Sequence, residues 1–185
     1  MGFDVARETV KVKEQIGVVP EVSNVYEDMS AWENLMFAAE LHGVPKPERA
    51  VKSKELLELF GLYDRRNDNV VKFSKGMKRS LTIAAALIHE PKLLFLDEPT
   101  TGLDVQSARR IRNMVQELNR KGVTVLLTTH YIEEADQLCD RIAILNRGRI
   151  VAVDSPEKLK ASVQNIHVVE LSFEKSIHGL EDELK

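Results

Sequence analysis

The apolar residues of this chain change their rhythm near Pro91. Before it, past one early strand, they recur at helical spacing. After it, short unbroken apolar runs alternate with helical stretches. Ile16–Val19 is a short apolar run ended by Pro20, which predicts a strand. Ser30-Ala31-Trp32-Glu33 has the form of a capping box, in which hydroxyl and carboxyl satisfy backbone N–H groups at a helix start. A helix is expected from there to about Leu41, stopped by Gly43. Pro45 and Pro47 punctuate, and a second helix is expected from about Glu48 to Phe60, ending at Gly61. Tyr63 to Lys72 is polar and turn-like. A third helix should open near Ser74-Lys75-Gly76 and run through TIAAALI to His89, where Pro91 stops it.

Beyond Pro91, Leu93–Leu96 has the composition of a buried strand. Asp104 stands at the head of a helix whose apolar positions Val105, Ala108, Ile111, Val115 and Leu118 recur every three or four residues, and Gly122 ends it. Val123–Thr129 is another strand and Tyr131–Leu138 a short helix. Arg141–Asn146 and Arg149–Asp154 flank Arg147-Gly148, the pattern of a β-hairpin. Ser155-Pro156 opens a last short helix, with serine as N-cap and proline at the first helical position. From His167 the sequence alternates through Val169, Leu171 and Phe173 and then turns charged, which reads as one edge strand and a tail. Strands alternating with helices imply an α/β fold, a parallel sheet covered on both faces.

Composition narrows the class. At 185 residues, 43% apolar and 30% charged, the chain can bury a core and is not disordered. A net charge of −3, with basic residues scattered apart from short groups such as Lys78-Arg79 and Arg109-Arg110, offers no field for nucleic acid or anionic lipid. The single cysteine, Cys139, cannot build an internal disulfide framework and fits a reducing compartment. No apolar run approaches the roughly 20 residues that span a bilayer, and MGFDVARETV has no signal-peptide core.

Three places carry candidate chemistry. Asp97 and Glu98 follow a buried strand at once, and successive side chains point to opposite sides, so the two can take separate roles toward a metal or a reactant. The plainer reading is a helix-capping acid and a surface glutamate. His130 follows the strand VTVLLTT at the C-terminal edge of the sheet, where ligands of open parallel sheets collect. An exposed histidine without function is its alternative. Ser74-Lys75-Gly76-Met77 opens a helix, whose free N–H groups and positive dipole end suit an anion. There the alternative is a serine N-cap and nothing more.

LLFLDEPTTGLD, then TTHYIEEAD, preceded by FSKGMKRSL, together resemble the ATP-binding cassette (ABC) domain of membrane transporters, in order and spacing, across nearly all of the chain. The drug- and lipid-exporting cassettes with separate membrane subunits are the nearest in kind, and GRIVAVDSPEKLKA is similar to their C-terminal hairpin and helix. The resemblance implies a P-loop NTPase-type sheet with an inserted α-helical subdomain. Residues 1–21 and 91–165 would form the catalytic core, 22–90 the helical signature subdomain and 166–185 a C-terminal strand and tail. It implies ATP and Mg²⁺ as cofactors. Asp97 would hold the metal through water, with Glu21 able to ligate it where the family usually has glutamine. Glu98 would be the general base, and His130 would hydrogen-bond the γ-phosphate. Ser74, Lys75, Gly76 and Met77 would cap an ATP bound to a second cassette, and Asp104 would end the turn that reaches across to that partner. The segment from Val22 to about Asn34 would meet an integral membrane permease subunit, which places the protein at the cytoplasmic face of the cell membrane. No nucleic-acid partner is implied.

Lys75 replaces a glycine of the usual LSGGQ signature, and Met77 its glutamine. No G-x-x-x-x-G-K-[ST] phosphate loop occurs in the 185 residues. The resemblance therefore implies that the N-terminal part of the cassette is missing from them and that the chain alone is inactive. It also implies an unpaired edge beside Leu93–Leu96, where the strand leading to that loop would lie, and one sheet face without cover; both favour association with another chain. Two other classes stay open. One is a non-catalytic module that lends its signature to a competent partner. The other is a non-transport ATPase of the same superfamily, against which the short helical link between Glu21 and Ser74 speaks.

Overall fold

A computed structural model describes residues 2–163, and the expected strand through Val169–Phe173 lies outside them. The chain falls into two compact units, Met1–Leu138 and Cys139–Lys185. The first holds α1 (Thr9–Glu14), β1 (Ile16–Val19), α2 (Ala31–Leu41), α3 (Lys46–Leu59), α4 (Lys75–Leu87), β2 (Leu93–Asp97), α5 (Val105–Arg120), β3 (Thr124–Thr128) and α6 (Ile132–Leu138). In the second, β4 (Ile142–Asn146) and β5 (Arg149–Asp154) form an antiparallel hairpin followed by α7 (Pro156–Val163). Arg147 and Gly148 both have positive φ, 49° and 74°, the requirement of the two-residue turn that matches strand twist.

In the first unit the strands make a parallel sheet in the order β1-β2-β3. Leu94 and Leu96 pair with Gly17 and Val19 on one side and with Val125 and Leu127 on the other. This face is the core: Val19, Leu94 and Leu96 pack with Ile83 and Leu87 of α4 and with Ile111, Val115 and Leu118 of α5. A second cluster, Ala31, Leu35, Leu57, Val70 and Leu81 among it, fills the helical region. Leu56 of α3 touches both clusters and a smaller one around Val44 and Ile88, so helices and sheet share one continuous core.

The expected elements are present, with bounds that shift for local reasons. The capping box is complete, Ser30 accepting from the Glu33 N–H and Glu33 from the Ser30 N–H. The second helix begins at Lys46 rather than Glu48, because Pro47 sits in the first turn, where its missing N–H is not needed. The third ends at Leu87 instead of running to His89, and Glu90 turns the chain back with φ 56°. Val105, expected on the buried stripe of α5, is exposed, while Ala108, Ile111, Val115 and Leu118 are buried. The short helix α1 lies in a segment for which the sequence pattern predicts nothing.

Two expectations about the sheet need correction. Strand β2 has partners on both sides, so no unpaired edge lies beside Leu93–Leu96, and that ground for association disappears. Nor is the sheet covered on both faces among the described residues. Val18, Phe95 and Leu126 form a row across the three strands, and Val18 and Leu126 are 55% and 51% exposed. Exposure of this face agrees with the expected loss of cover.

The two faces should differ sharply under mutation. Leu94→Ala should destabilise the chain by about 2–5 kcal/mol, the range for emptying a packed leucine site. Leu126→Ala should change stability by less than about 0.5 kcal/mol, as for surface substitutions. Urea denaturation measures both, and equal losses would show that the second face is packed.

Candidate functional site

The ends of the three parallel strands deliver the site. β1 runs into Pro20-Glu21, β2 into Asp97-Glu98, and β3 into Thr128, with His130 two residues on. Parallel pairing in register brings these ends to one edge: Asp97 stands opposite Thr128. The Thr128 hydroxyl donates to Asp97 Oδ1 at 2.5 Å and accepts from the Glu98 N–H at 3.3 Å. The same N–H lies 3.2 Å from the Thr128 carbonyl oxygen.

Glu98 leaves the strand with φ 46°. A glutamate in the left-handed region costs about 1–3 kcal/mol and persists only where its surroundings fix it. Here its Oε2 takes hydrogen bonds from Thr101 Oγ1 at 2.8 Å and from His130 Nδ1 at 2.9 Å. Burial works against the charge, but the bonds from His130 and Thr101 outweigh it and hold the carboxyl below its ordinary range. An ionised carboxylate can only accept, so Nδ1 of His130 carries the proton. The imidazole is 59% exposed and lies beside the Tyr131 ring. The arrangement is an oriented, ionised carboxylate at the sheet edge, suited to polarising a water molecule.

Behind this edge, Arg79 of α4 is buried, and its guanidinium donates to the carbonyl oxygens of Pro20, at 2.5 Å, and of Glu21. Burial lowers its pKa, and the charges of Glu21 and Asp97 offset part of that effect. Arg79 therefore links the end of β1 to the helix that opens at Ser74. A cavity of about 270 Å³ lies there, lined by Glu21, Ser23, Lys75, Lys78, Arg79 and Thr101 among others. At this volume it lies just below the roughly 300–1,000 Å³ of ordinary ligand pockets. Lys78 pairs with Glu27 at 2.5 Å.

The remaining candidates sit as follows. Ser74 caps α4, its hydroxyl accepting from the Met77 N–H at 3.2 Å. Lys75 reaches over the turn at Gly102, where a β-carbon would collide with its ammonium group. Gly76 is buried with no room for a β-carbon, because Ser107 of α5 packs against it. The close approach at Gly76 is thus made by a neighbouring helix within the fold. Met77 Sδ lies 3.4 Å from an Arg65 guanidinium nitrogen. Asp104 caps α5: its carboxyl accepts from the hydroxyl and N–H of Ser107 at 2.7 and 2.8 Å, which lowers its pKa. Asp97, Glu98 and His130 are thus brought together, with Glu21 joined to them through Arg79. The signature residues and Asp104 meet one another through Ser107.

The sequence reading missed Thr101, Thr128, Arg79 and Glu134. The two threonines lay within quoted stretches, PTTG and TTH, and hydroxyls next to a strand-end carboxylate were the signal. Nothing in the local pattern marks Arg79 or Glu134 as buried.

Among the described residues, no three His, Cys, Asp or Glu side chains gather as a metal cage. Asp97, exposed at the sheet edge beside a hydroxyl, offers a single carboxylate. That donor set fits Mg²⁺, which keeps several waters and takes one or two carboxylates together with phosphate oxygens.

Comparisons with known proteins agree with this geometry. A family model described as "AAA domain, putative AbiEii toxin, Type IV TA system" matches residues 15–136. A solved structure titled "Structure of ATP binding subunit of ABC transporter" superposes with a TM-score of 0.75 at 31% identity, covering 88% of this chain and 68% of that one. The chain belongs to the family of ABC transporter ATP-binding subunits. Among the relatives is the Linearmycin resistance ATP-binding protein LnrL of Bacillus subtilis, 40% identical over 171 residues, 92% of this chain and 55% of that protein. Another is the Fluoroquinolones export ATP-binding protein MT2762 of Mycobacterium tuberculosis, 46% identical over 147 residues, 80% and 48% of the two chains. This ABC family chain therefore spans about half the length of the curated relatives it matches.

The hydrogen bonds on Glu98 have a pH signature. Its carboxyl titrates lower in the folded chain than in the unfolded one. The resulting stability is fully present above the unfolded value and is lost as pH falls through the folded value. Thr101→Val removes one of the two donors. The variant should lose less stability than the parent between about pH 6 and about pH 3, the range in which carboxyls titrate. Urea denaturation at a series of pH values measures the slopes, and identical slopes would mean that Thr101 does not hold the charge.

Proposed function

We propose that this chain is the part of an exporter's ATP-binding subunit that carries the catalytic carboxylate and the signature helix. The observation that carries the reading is the Glu98 carboxylate, ionised and held by Thr101 and His130 beside Asp97. The names of the relatives, one of drug resistance and one of drug export, support the exporter class. Among the described residues no helix is long and apolar enough to cross a membrane. Attachment to the cytoplasmic face is accordingly assigned to a permease subunit, met by the segment from Val22 to about Asn34.

The reaction is hydrolysis of ATP by in-line attack of water on the γ-phosphorus. Glu98 accepts the proton as the water oxygen bonds to phosphorus and the bond to ADP breaks. His130 keeps Glu98 in place through Nδ1 and can donate to a γ-phosphate oxygen when its ring is protonated. Asp97, with Glu21 beside Arg79, would hold Mg²⁺, which when bound neutralises phosphate charge. Ser74, Lys75, Gly76 and Met77, at the N-terminus of α4, face an ATP held by a second cassette, and Asp104 ends the turn toward that partner. Lys75 adds a positive charge there.

The phosphate loop supplies most contacts to the β- and γ-phosphates through backbone N–H groups and a lysine. Its sequence is not among the 185 residues. Asp97 and Glu98 present two carboxylates to a polyanion, so the chain alone should bind ATP–Mg²⁺ weakly and not turn it over. Equilibrium dialysis is the check; micromolar affinity would mean that another segment replaces the loop. This absence also favours a second reading, a non-catalytic module that supplies its signature to a competent partner. Under that reading, ATP bound by a partner cassette is hydrolysed equally well when Glu98 is changed.

When these residues stand beside a phosphate loop in an assembled subunit, Glu98→Gln should cut hydrolysis by about 10²–10⁴-fold, the range for losing a general base. ATP binding should persist, because the amide keeps the size and removes a charge. Single-turnover hydrolysis measures this, and a wild-type rate would rule out Glu98 as the base.

A further inference from the structure

Glu134, in the first turn of α6, is 1% exposed, one of the most deeply buried side chains among the described residues. Its Oε1 accepts from the Thr100 hydroxyl at 2.7 Å and stands 3.6 Å from Arg112 Nε of α5. Neither Arg112 Nε nor the other carboxyl oxygen of Glu134 has a hydrogen-bond partner among the described residues. As a source of stability this is a poor arrangement. A buried acid with one oxygen unmatched and a long ion pair gives up more solvation than it regains, and an apolar side chain of similar volume would serve the fold as well or better.

What the group does achieve is geometric. Thr100, itself 5% exposed, lies between Glu98 and Thr101 in the turn that follows β2, a turn closed by Thr101 N–H to Glu98 O and Leu103 N–H to Thr100 O. Glu134 stands four residues after His130, in the helix that His130 leads into. The Glu134–Thr100 bond thus ties together the two segments that supply both donors to Glu98 Oε2, Thr101 from one and His130 from the other. The left-handed backbone of Glu98 lies between them and needs such fixing.

We infer that Glu134 is a positioning residue for Glu98, acting through the Thr100 hydroxyl to hold the Pro99–Leu103 turn against the start of α6. The inference rests on the reading of Glu98 as the working carboxylate, but its test is independent of turnover, so the two can fail separately.

The experiment reads the backbone of Glu98 by NMR in the 185-residue chain, where its ³J(HN–Hα) coupling and ¹³Cα shift report the left-handed φ. Glu134→Gln keeps an acceptor for Thr100 and should leave both at the parent's values. Glu134→Leu keeps the volume without an acceptor and should move both away from left-handed values. Thr100→Val removes the donor alone and should produce the same movement; it decides the matter if Glu134→Leu does not fold. Glu98 values unchanged in folded Thr100→Val would overturn the inference. So would a movement in Glu134→Gln as large as in the variants that lack the bond, since the hydrogen bond would then not be what positions Glu98. A merely structural role for Glu134 would lower the melting temperature and leave the Glu98 backbone where it is.

Discussion

The in-register parallel pairing of β1, β2 and β3 is the constraint on which the candidate site depends. Val19, Leu96 and Leu127 stand side by side, so the three strands end at one level. Everything chemical follows from where the chain goes next. Glu21 comes after Pro20, Asp97 and Glu98 finish β2, and His130 comes two residues beyond Thr128. A slip of one residue in β2 would turn Leu94 and Leu96 out of the core and move Asp97 to the other face. The burial of those two leucines and the position of the carboxylates are therefore one fact. Apolar packing on the closed face sets the register, and the register places the acids.

This explains which parts were legible in the sequence. Strands, capping boxes and helix ends are local signals, and Ile16–Val19, Ser30–Glu33 and Asp104 mark their elements correctly. Asp97, Glu98 and His130 were legible because they follow strands directly. Pairing order was not, since it depends on which strands lie side by side. The open edge expected beside Leu93–Leu96 is filled by β1, whose residues lie more than seventy positions earlier in the chain. The composition of LLFL by itself fits a strand buried on both faces, yet Phe95 lies in a row with two half-exposed side chains, in line with the loss of cover that the resemblance implies. Arg79 and Glu134 were invisible because charge normally signals a solvated position. Only tertiary contact shows that one holds the carbonyls of Pro20 and Glu21 and the other the hydroxyl of Thr100.

The signature region shows how a local role and a functional one can share the same atoms. The Ser74 hydroxyl satisfies the Met77 N–H, and Gly76 lets Ser107 approach. These are contacts of the fold, and they account for the serine and the glycine without any ligand. They also fix the first turn of α4 against α5, whose own cap, Asp104, binds the same Ser107. If this surface meets a second cassette, as proposed, such rigidity favours it, because an interface formed from ordered loops loses less conformational freedom on association. Lys75 is the exception. It is exposed, and its ammonium group lies over Gly102 rather than in a cap. Its position puts positive charge next to Thr101, the residue that also holds Glu98.

The charges around Glu98 form a graded series. Arg79 is buried and fixed on two carbonyls, His130 is exposed, and Lys75 is exposed at the rim. The buried cation offsets the carboxylates of Asp97 and Glu21 permanently, because an arginine does not lose its proton in a protein. The exposed groups respond to what enters. Under the proposed function a phosphate arriving there adds negative charge beside Glu98, and the cations Arg79 and Lys75 offset it. Nδ1 of His130 already serves Glu98 at 2.9 Å, so Nε2 is the ring nitrogen left for a ligand under that proposal. Thr101 and His130 both donate to Glu98, so before attack its carboxyl is ionised and able to accept the water's proton. An ionised carboxylate held in place by two donors is the general base that such a reaction uses.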